Sequence, residues 1–274
     1  MQDYLPLAMI LFVGIFVQSS AGFAAGLIIV PSLLWFGFSI PEAQASLLIA
    51  TVPQNIAGVW TLRESISIRR IALPAFTRLV FLPIGVCLLV SLQTFPIDRI
   101  KQVVGLVVLI ATLAIILFKP TPRQSLHPAW AWLAFPLSGL LQGLVGMGGP
   151  AMVFWVQAHD WTPRQMRGFL FAMYLISLAP GMIVLYLFFG DLIVRPAVFA
   201  ALAIPLLLLA TYLGLKFGDW LGRQRLRKVT LGLLLIIGIA GIASPYLPMH
   251  QPSAETPSEA IAVPDQGVLS TSES

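Results

Sequence analysis

The stretch QGLVGMGGP, residues 142–150, holds four glycines and one proline within nine residues, and apolar sequence continues on both sides of it. Glycine and proline are the residues least compatible with a helix interior. A second stretch, QSSAGFAAG at residues 18–26, interrupts another long apolar segment with small residues. We therefore expect two apolar segments that are each broken at the middle, and these breaks decide the fold.

The composition is that of an integral membrane protein. Of the 274 residues, 58% are hydrophobic and 10% are charged, and the mean hydropathy is +0.91, far from the make-up of a soluble domain. Apolar runs long enough for membrane-spanning helices recur along the chain, and the alternating pattern of a membrane barrel is absent. The predicted fold class is an all-α integral membrane protein.

Two of the apolar segments are longer than the others. Residues 4–36 and 129–157 are each about thirty residues long, which suits two half-helices of about 14 residues and about 20 Å each. Each segment could form a hairpin that enters and leaves the membrane by one face. Ordinary spans are predicted at residues 41–62, 70–92, 99–118, 164–189, 196–216 and 229–247.

The loop charges support a hairpin at residues 129–157, because lysine and arginine accumulate on the cytoplasmic side. Of the 16 Lys and Arg residues, Arg78 lies within a span; the other 15 divide 12 against 3 if residues 129–157 turn back. If both broken segments cross, the split is 9 against 6. The split is the same whether residues 4–36 turn back or cross once, so the charges leave both options open there.

The two halves of the chain carry one pattern. Gln18 and Gly22 have the spacing of Gln142 and Gly146, and each broken segment precedes three ordinary spans. Two copies of one unit explain this, and a hairpin plus three crossings makes the second copy inverted relative to the first. We therefore predict about eight membrane segments in two inverted repeats, each a broken hairpin helix plus three transmembrane helices.

This layout describes a multi-pass protein of the cell (inner) membrane with both termini on the extracytoplasmic side. The end of the chain is rich in proline, serine and acidic residues, which favours disorder. The predicted regions are a first transmembrane repeat at 1–118, a cytoplasmic linker at 119–128, a second transmembrane repeat at 129–247 and a disordered extracytoplasmic tail at 248–274.

The breaks also predict a binding site. Broken helices survive at membrane depth only where protein covers them or a polar cavity hydrates them, and half-helix N-termini favour an anion. The expected contributors from the two breaks are Gln18, Ser19, Gly22, Gln142, Gly146 and Gly149. The alternative is that these small residues only let helices pack closely.

Three residues of the ordinary spans complete this candidate site. Arg78 lies eight residues past Arg70, about 12 Å along a helix, so it either extends to the headgroups or faces inward and binds an oxyanion. Thr51 and Asn55 lie beside Pro53 and could line the same path, with interhelical hydrogen bonding as the alternative. Tyr174 and Ser177 occupy similar depths in the second half, with a weaker case.

Other function classes lack the residues they need. His127, His159 and His250 fall in loops or the tail, and no motif for a metalloprotease or a pair of buried acids occurs, so no enzyme, cofactor or metal site is predicted. The bases lie in short loops rather than on a soluble face, so nucleic acid is not expected. The expected partners are a small anionic solute and the lipid bilayer, and a homo-oligomer is compatible with the sequence.

Several stretches resemble the sulfite exporter TauE/SafE family of membrane transporters across about residues 5–247. These are GFAAGLIIVPSLL at 22–34, GLLQGLVGMGGPAMVFW at 139–155, and the proline-started helices at IPEAQA and TPRQMR. The resemblance implies about eight segments in two related halves and transport of sulfite, sulfoacetate or other organosulfonates. We expect an alternating-access carrier, with an anion channel or a carrier of a carboxylate or metal ion as alternatives.

Overall fold

The computed structural model of this protein describes residues 4–21, 24–117, 126–127, 129–221 and 223–243. Its regular structure consists of α-helices and two short 3-10 turns. This confirms the predicted all-α class. The predicted tail at 248–274 lies outside the described residues, as does most of the predicted linker at 119–128.

Eleven α-helices follow one another in the described part of the chain. Their bounds are α1 Tyr4–Ala21, α2 Ala25–Trp35, α3 Ile40–Leu62, α4 Ile68–Leu92, α5 Ile97–Leu117, α6 Ala129–Val145, α7 Gly149–Gln157, α8 Pro163–Phe189, α9 Val194–Leu202, α10 Ile204–Leu221 and α11 Arg223–Ala243.

Four helical stretches are long and apolar enough to cross a membrane, judged by length and composition. They are Ile40–Ser65, Ile68–Leu92, Ile97–Leu117 and Pro163–Leu202. Shorter apolar helices occupy Tyr4–Ser20, Ala25–Trp35, Ala129–Val145, Ile204–Gly214 and Leu231–Ala243. The chain is therefore a multi-pass helical membrane protein.

Both broken segments turn back on themselves. A Cβ on Gly14 of α1 would lie 2.2 Å from Cγ1 of Ile29 in α2, whereas fifteen residues of straight helix would separate them by about 22 Å. In the second segment the rings of Phe135 and Trp155 lie 4.9 Å apart between centroids, where a straight helix would separate them by about 30 Å. Each segment is thus a helical hairpin.

The arms of each hairpin differ in length. α1 and α6 have 18 and 17 residues, whereas α2 and α7 have 11 and 9. The sequence predicted equal halves of about 14 residues, because glycines mark where a helix breaks but not how far apolar sequence continues on each side. Residues at both breaks are buried, Ala25 in the first hairpin and Gly146 in the second.

The predicted span at residues 196–216 is wrong as a single helix. α9 ends at Leu202 and α10 begins at Ile204, with Ala203 between them. Pro205 causes this interruption, because it has no N–H to donate and its ring clashes with the carbonyl of the preceding turn. Pro205 is the second residue of α10, where a backbone N–H would have no partner within the helix, so its absence costs nothing.

Helix pairs from the two halves pack against each other with defined direction. In α5 and α11, Gly105 meets Gly241 while Leu109 meets Gly238, so these helices run antiparallel. α3 and α8 are also antiparallel, because Gly181 lies against Leu48 while Gly58 lies against Phe171. α4 packs on α6, and α1 packs on α10.

Candidate functional site

The tips of the two hairpins touch each other. A Cβ on Gly26, at the start of α2, would lie 2.8 Å from the carbonyl oxygen of Gly146. Gly146 itself has a φ of +71°, a left-handed backbone conformation that residues with a side chain rarely adopt. Glycine is therefore required at both positions, at Gly26 for the close approach and at Gly146 for the turn.

A cavity lies beside this contact, enclosed by the hairpin tips and by α3, α4 and α8. Its volume of about 60 Å³ gives room for about four to six water-sized positions. That space matches the head of a small oxyanion. Its polar side chains are Gln18, Thr51, Arg78, Gln142, Tyr174 and Ser177.

Arg78 supplies the positive charge of the cavity. Its side chain is only 1% exposed, and its two terminal nitrogens donate to the Met152 sulfur, the Met173 carbonyl and the Gln142 side-chain oxygen, each over 3.3 Å. Its Nε has no hydrogen-bond partner among the described residues. No acidic side chain among the described residues forms an ion pair with Arg78, so within them no carboxylate balances its buried charge.

Tyr174 covers the other side of this charge. Its ring faces the guanidinium at 5.6 Å, and a Cβ on Gly149 would lie 2.6 Å from its hydroxyl oxygen. The absence of a side chain at Gly149 therefore lets the hydroxyl approach the start of α7. Ser177 lies one turn further along α8, and its hydroxyl donates to the Met173 carbonyl over 2.7 Å.

The helices that begin at the cavity have no side-chain caps. Neither Ala24, before α2, nor Gly148, before α7, accepts a first-turn N–H with its side chain. By contrast, α3 and α8 begin at loops with capping boxes: Glu42 accepts from Ser39 over 2.7 Å, and the side chain of Thr162 accepts the Gln165 N–H. At the start of α7 the Gly148 N–H donates to the Gln142 side chain over 3.3 Å. The remaining first-turn N–H groups of the two helices give the cavity a partial positive charge.

The candidate residues are distributed in and around this cavity. Six of them line it, namely Gln18, Thr51, Arg78, Gln142, Gly146 and Gly149. Ser19 is buried outside the lining, its Cβ lies 2.9 Å from where a Cβ on Gly214 would stand, and its hydroxyl has no partner among the described residues. Asn55 is also buried outside the lining, and Gly22 lies outside the described residues.

Sequence reasoning missed Gln44. This side chain is 1% exposed, and its Nε2 donates to the carbonyl of Gly143 over 3.2 Å. It thereby connects α3 to the last turn of α6, just before the second break. The available signal was a glutamine within a predicted span, because an amide at membrane depth needs partners.

The similarity of this chain to known proteins extends over most of its length. A curated protein of Cupriavidus necator named probable sulfite/organosulfonate exporter TauE is 25% identical over 236 residues, covering 85% of this chain and 91% of that protein. No solved structure gives a significant match. The family model described as Sulfite exporter TauE/SafE matches residues 7–241, which include both hairpins. The chain therefore belongs to the TauE/SafE sulfite exporter family, whose members are transporters rather than enzymes.

Proposed function

We propose that this protein carries small sulfur oxyanions, such as sulfite, sulfoacetate or other organosulfonates, across the membrane by alternating access. The observation that carries the proposal is Arg78, a buried cation without an acidic partner in the described residues, at the wall of a cavity. A charge at membrane depth is costly, and an anionic solute would offset that cost. The curated relative is named for the same class of substrate.

The chemistry of the cavity suits an oxyanion. A guanidinium presents several N–H donors in one plane, which match two oxygens of a sulfonate or sulfite head. Arg78 has a free Nε, and the uncapped starts of α2 and α7 offer backbone N–H donors nearby. These donors would replace the water that the anion loses on entry.

In this proposal, the candidate residues divide by role. Arg78 binds the anion, and Gln142 orients Arg78 through the hydrogen bond between them. Gln18 adds a donor from the first tip and the backbone N–H of Gly149 adds one from the second. Gly146 shapes the wall, because its own N–H donates to the Gln142 carbonyl over 3.0 Å. Thr51 completes the wall, whereas Ser19 and Asn55, whose buried oxygens have no partner among the described residues, belong to the path that leads to the cavity.

Matched packing supports two inverted repeats with eight membrane segments. Residue 140 is 124 positions after residue 16, the same offset as between Gln142 and Gln18. A Cβ on Gly85 of α4 would meet the carbonyl of Leu140, and a Cβ on Gly214 of α10 would meet the carbonyl of Phe16. The α4–α6 and α10–α1 interfaces therefore make contact at equivalent positions of the two halves. Inverted repeats also require that equivalent helices run antiparallel, as α5 and α11 do.

The same equivalence of positions indicates an asymmetric site. Arg78 lies seven residues before Gly85, and Leu207 lies seven residues before Gly214. Leu207 is buried and apolar, so at this pair of equivalent positions only the first half supplies a cation. One cation per cavity favours one anion, and it opposes a metal ion as the substrate.

The proposed arrangement in the membrane follows from inversion and the loop charges. Residues 1–118 form the first repeat and residues 129–247 the second, joined by a cytoplasmic linker. Both termini lie on the extracytoplasmic side of the inner membrane. The hairpins enter from opposite faces and meet at Gly26 and Gly146, and alternate opening on each side of this contact moves the anion.

Uptake into proteoliposomes tests the proposal. Labelled sulfite and small sulfonates are supplied to the wild type, to Arg78→Leu and to Gln142→Ala, with Arg195→Gln as a control at an exposed position. Saturable uptake is expected for the wild type and the control, none for Arg78→Leu and reduced uptake for Gln142→Ala. Undiminished saturable uptake by Arg78→Leu would contradict the proposed site, and uptake that never saturates would favour a channel. Competition by carboxylates measures selectivity.

A further inference from the structure

A second groove lies on the outside of the helix pair that holds Arg78. It runs between α4 and α8, has a volume of about 310 Å³, and its lining is apolar. Small side chains at Ala72, Ala75 and Ala172 form part of its wall. From Ile68 to Ala75 the groove extends about 10 Å along α4, so part of an acyl chain could lie along it.

A small polar cleft adjoins the groove at the start of α4. The two share Ile66 and Ile71 as walls. The cleft adds the side chains of Ser65, Ser67 and Arg70. Neither serine hydroxyl has a hydrogen-bond partner among the residues the structure describes, and Ser67 does not cap α4 with its side chain.

Exposed arginines outnumber the exposed acids around the cleft. Arg70 lines it and Arg63 and Arg69 are close in sequence, whereas the acids Glu64 and Asp160 precede its lining residues Ser65 and Trp161. None of the three arginines forms an ion pair with an acid in the described ranges. Arg63 lies over the ring of Trp60 at 5.1 Å, and Arg70 lies over the ring of Trp161 at 5.2 Å. Tryptophan concentrates at the boundary between lipid and water, so these pairs mark the headgroup level.

We propose that one anionic phospholipid binds here, with an acyl chain in the groove and its phosphate against Arg70 and the start of α4. The apolar part fits the chain, and the arginines complement the negative headgroup. A zwitterionic lipid would fill the groove equally well but would leave the positive charge of the cleft largely uncompensated. The groove and the cleft share no lining residue with the transport cavity, so the lipid and the transported anion would not compete for one place.

Lipid bound at this site would contact both α4, which carries Arg78, and α8, which carries one of its hydrogen-bond acceptors. Ala75 precedes Arg78 by less than one turn of α4, and Ala172 is next to Met173, whose carbonyl accepts from Arg78. A bound acyl chain would pack against both helices and stabilise their relative position. Anionic lipid should therefore raise the thermal stability of the whole protein.

Lipid binding to the full chain in detergent tests this inference. Phosphatidylglycerol and phosphatidylcholine with identical acyl chains are compared by native mass spectrometry and by thermal unfolding, with inorganic phosphate alone as a third arm. Phosphatidylglycerol should remain bound and raise Tm more than phosphatidylcholine, and phosphate alone should do nothing. Arg70→Gln should weaken phosphatidylglycerol binding about tenfold or more, the size expected for one charged contact.

Two further variants separate the groove from general surface charge. Ala172→Phe fills the groove and should abolish the preference for phosphatidylglycerol, whereas Arg195→Gln removes an exposed base elsewhere and should keep it. If Ala172→Phe does not fold, Arg70→Gln against Arg195→Gln decides the question alone. Equal stabilisation by the two lipids, an effect of phosphate alone, an unchanged preference in Arg70→Gln, or a dimer that seals the groove without lipid would each overturn the proposal.

Discussion

Arg78 and Gln142 are joined by a hydrogen bond of 3.3 Å from the Arg78 Nη2 to the Gln142 Oε1. The same glutamine oxygen accepts the backbone N–H of Gly148 over 3.3 Å. Gln142 therefore connects the buried cation on α4 to the break of the second hairpin. A movement of that hairpin tip would change the position of the guanidinium, which gives a physical link between opening the cavity and releasing an anion.

The shape of the guanidinium, and not only its charge, should matter. Arg78→Lys keeps a cation but replaces a planar set of donors by a flexible ammonium, so one charged hydrogen bond to the oxyanion is lost. We expect the half-saturating sulfite concentration to rise about tenfold or more. Concentration-dependent uptake in proteoliposomes measures it, and a wild-type value for Arg78→Lys would show that charge alone is sufficient.

A carboxylate beside Arg78 should inhibit transport more than a missing side chain does. In Gln142→Glu the new acid would pair with Arg78 and occupy the place of the anion, whereas Gln142→Ala only removes an orienting hydrogen bond. We therefore expect sulfite uptake to be lower in Gln142→Glu than in Gln142→Ala. Uptake by Gln142→Glu equal to that of the wild type would contradict an anion at this position. Equal expression of both variants is the necessary control.

Close contact between α4 and α6 should make Gly143 intolerant of any side chain. A Cβ there would lie 2.2 Å from the Leu82 carbonyl oxygen and 2.7 Å from the Val86 nitrogen, so the helices would have to separate. Gly143→Ala should destabilise the protein by about 1–3 kcal/mol, seen as a lower Tm in detergent. Gly232→Ala is the matched control, because a Cβ at Gly232 meets nothing within 4 Å. Equal Tm values for the two variants would contradict the packing.

The hairpins could be predicted because their cause is local. Four glycines and a proline in residues 142–150 disfavour an unbroken helix, and the structure breaks at 146–148 as expected. The small-residue stretch at 18–26 predicted the other break, which lies between Ala21 and Ala25. Arg78 was identified because a base within a long apolar span is rare whatever the fold.

Other features depend on packing that no local pattern reveals. Gln44 reaches a carbonyl 99 residues away in sequence, and only the fold shows which polar group it meets. Ala24 has a φ of 93°, a strained conformation that composition would assign to glycine. Asn55 was predicted beside the cavity from helix spacing and Ser19 from its place in the first break. Neither signal fixes the extent of a cavity, because spacing gives only the face of a helix.

Cysteine accessibility tests most directly the central claim that two opposed hairpins bring an anion site to mid-membrane. The chain has one cysteine, Cys87, so Cys87→Ser gives a cysteine-free background. Single cysteines are then placed at the ends of the hairpins, at positions 5 and 36 for the first and 127 and 158 for the second, and labelled from each side of the membrane. We expect the members of each pair to be labelled from one side and the two pairs from opposite sides. Labelling of 127 and 158 from different sides, of 5 and 36 from different sides, or of all four from the same side would contradict the account.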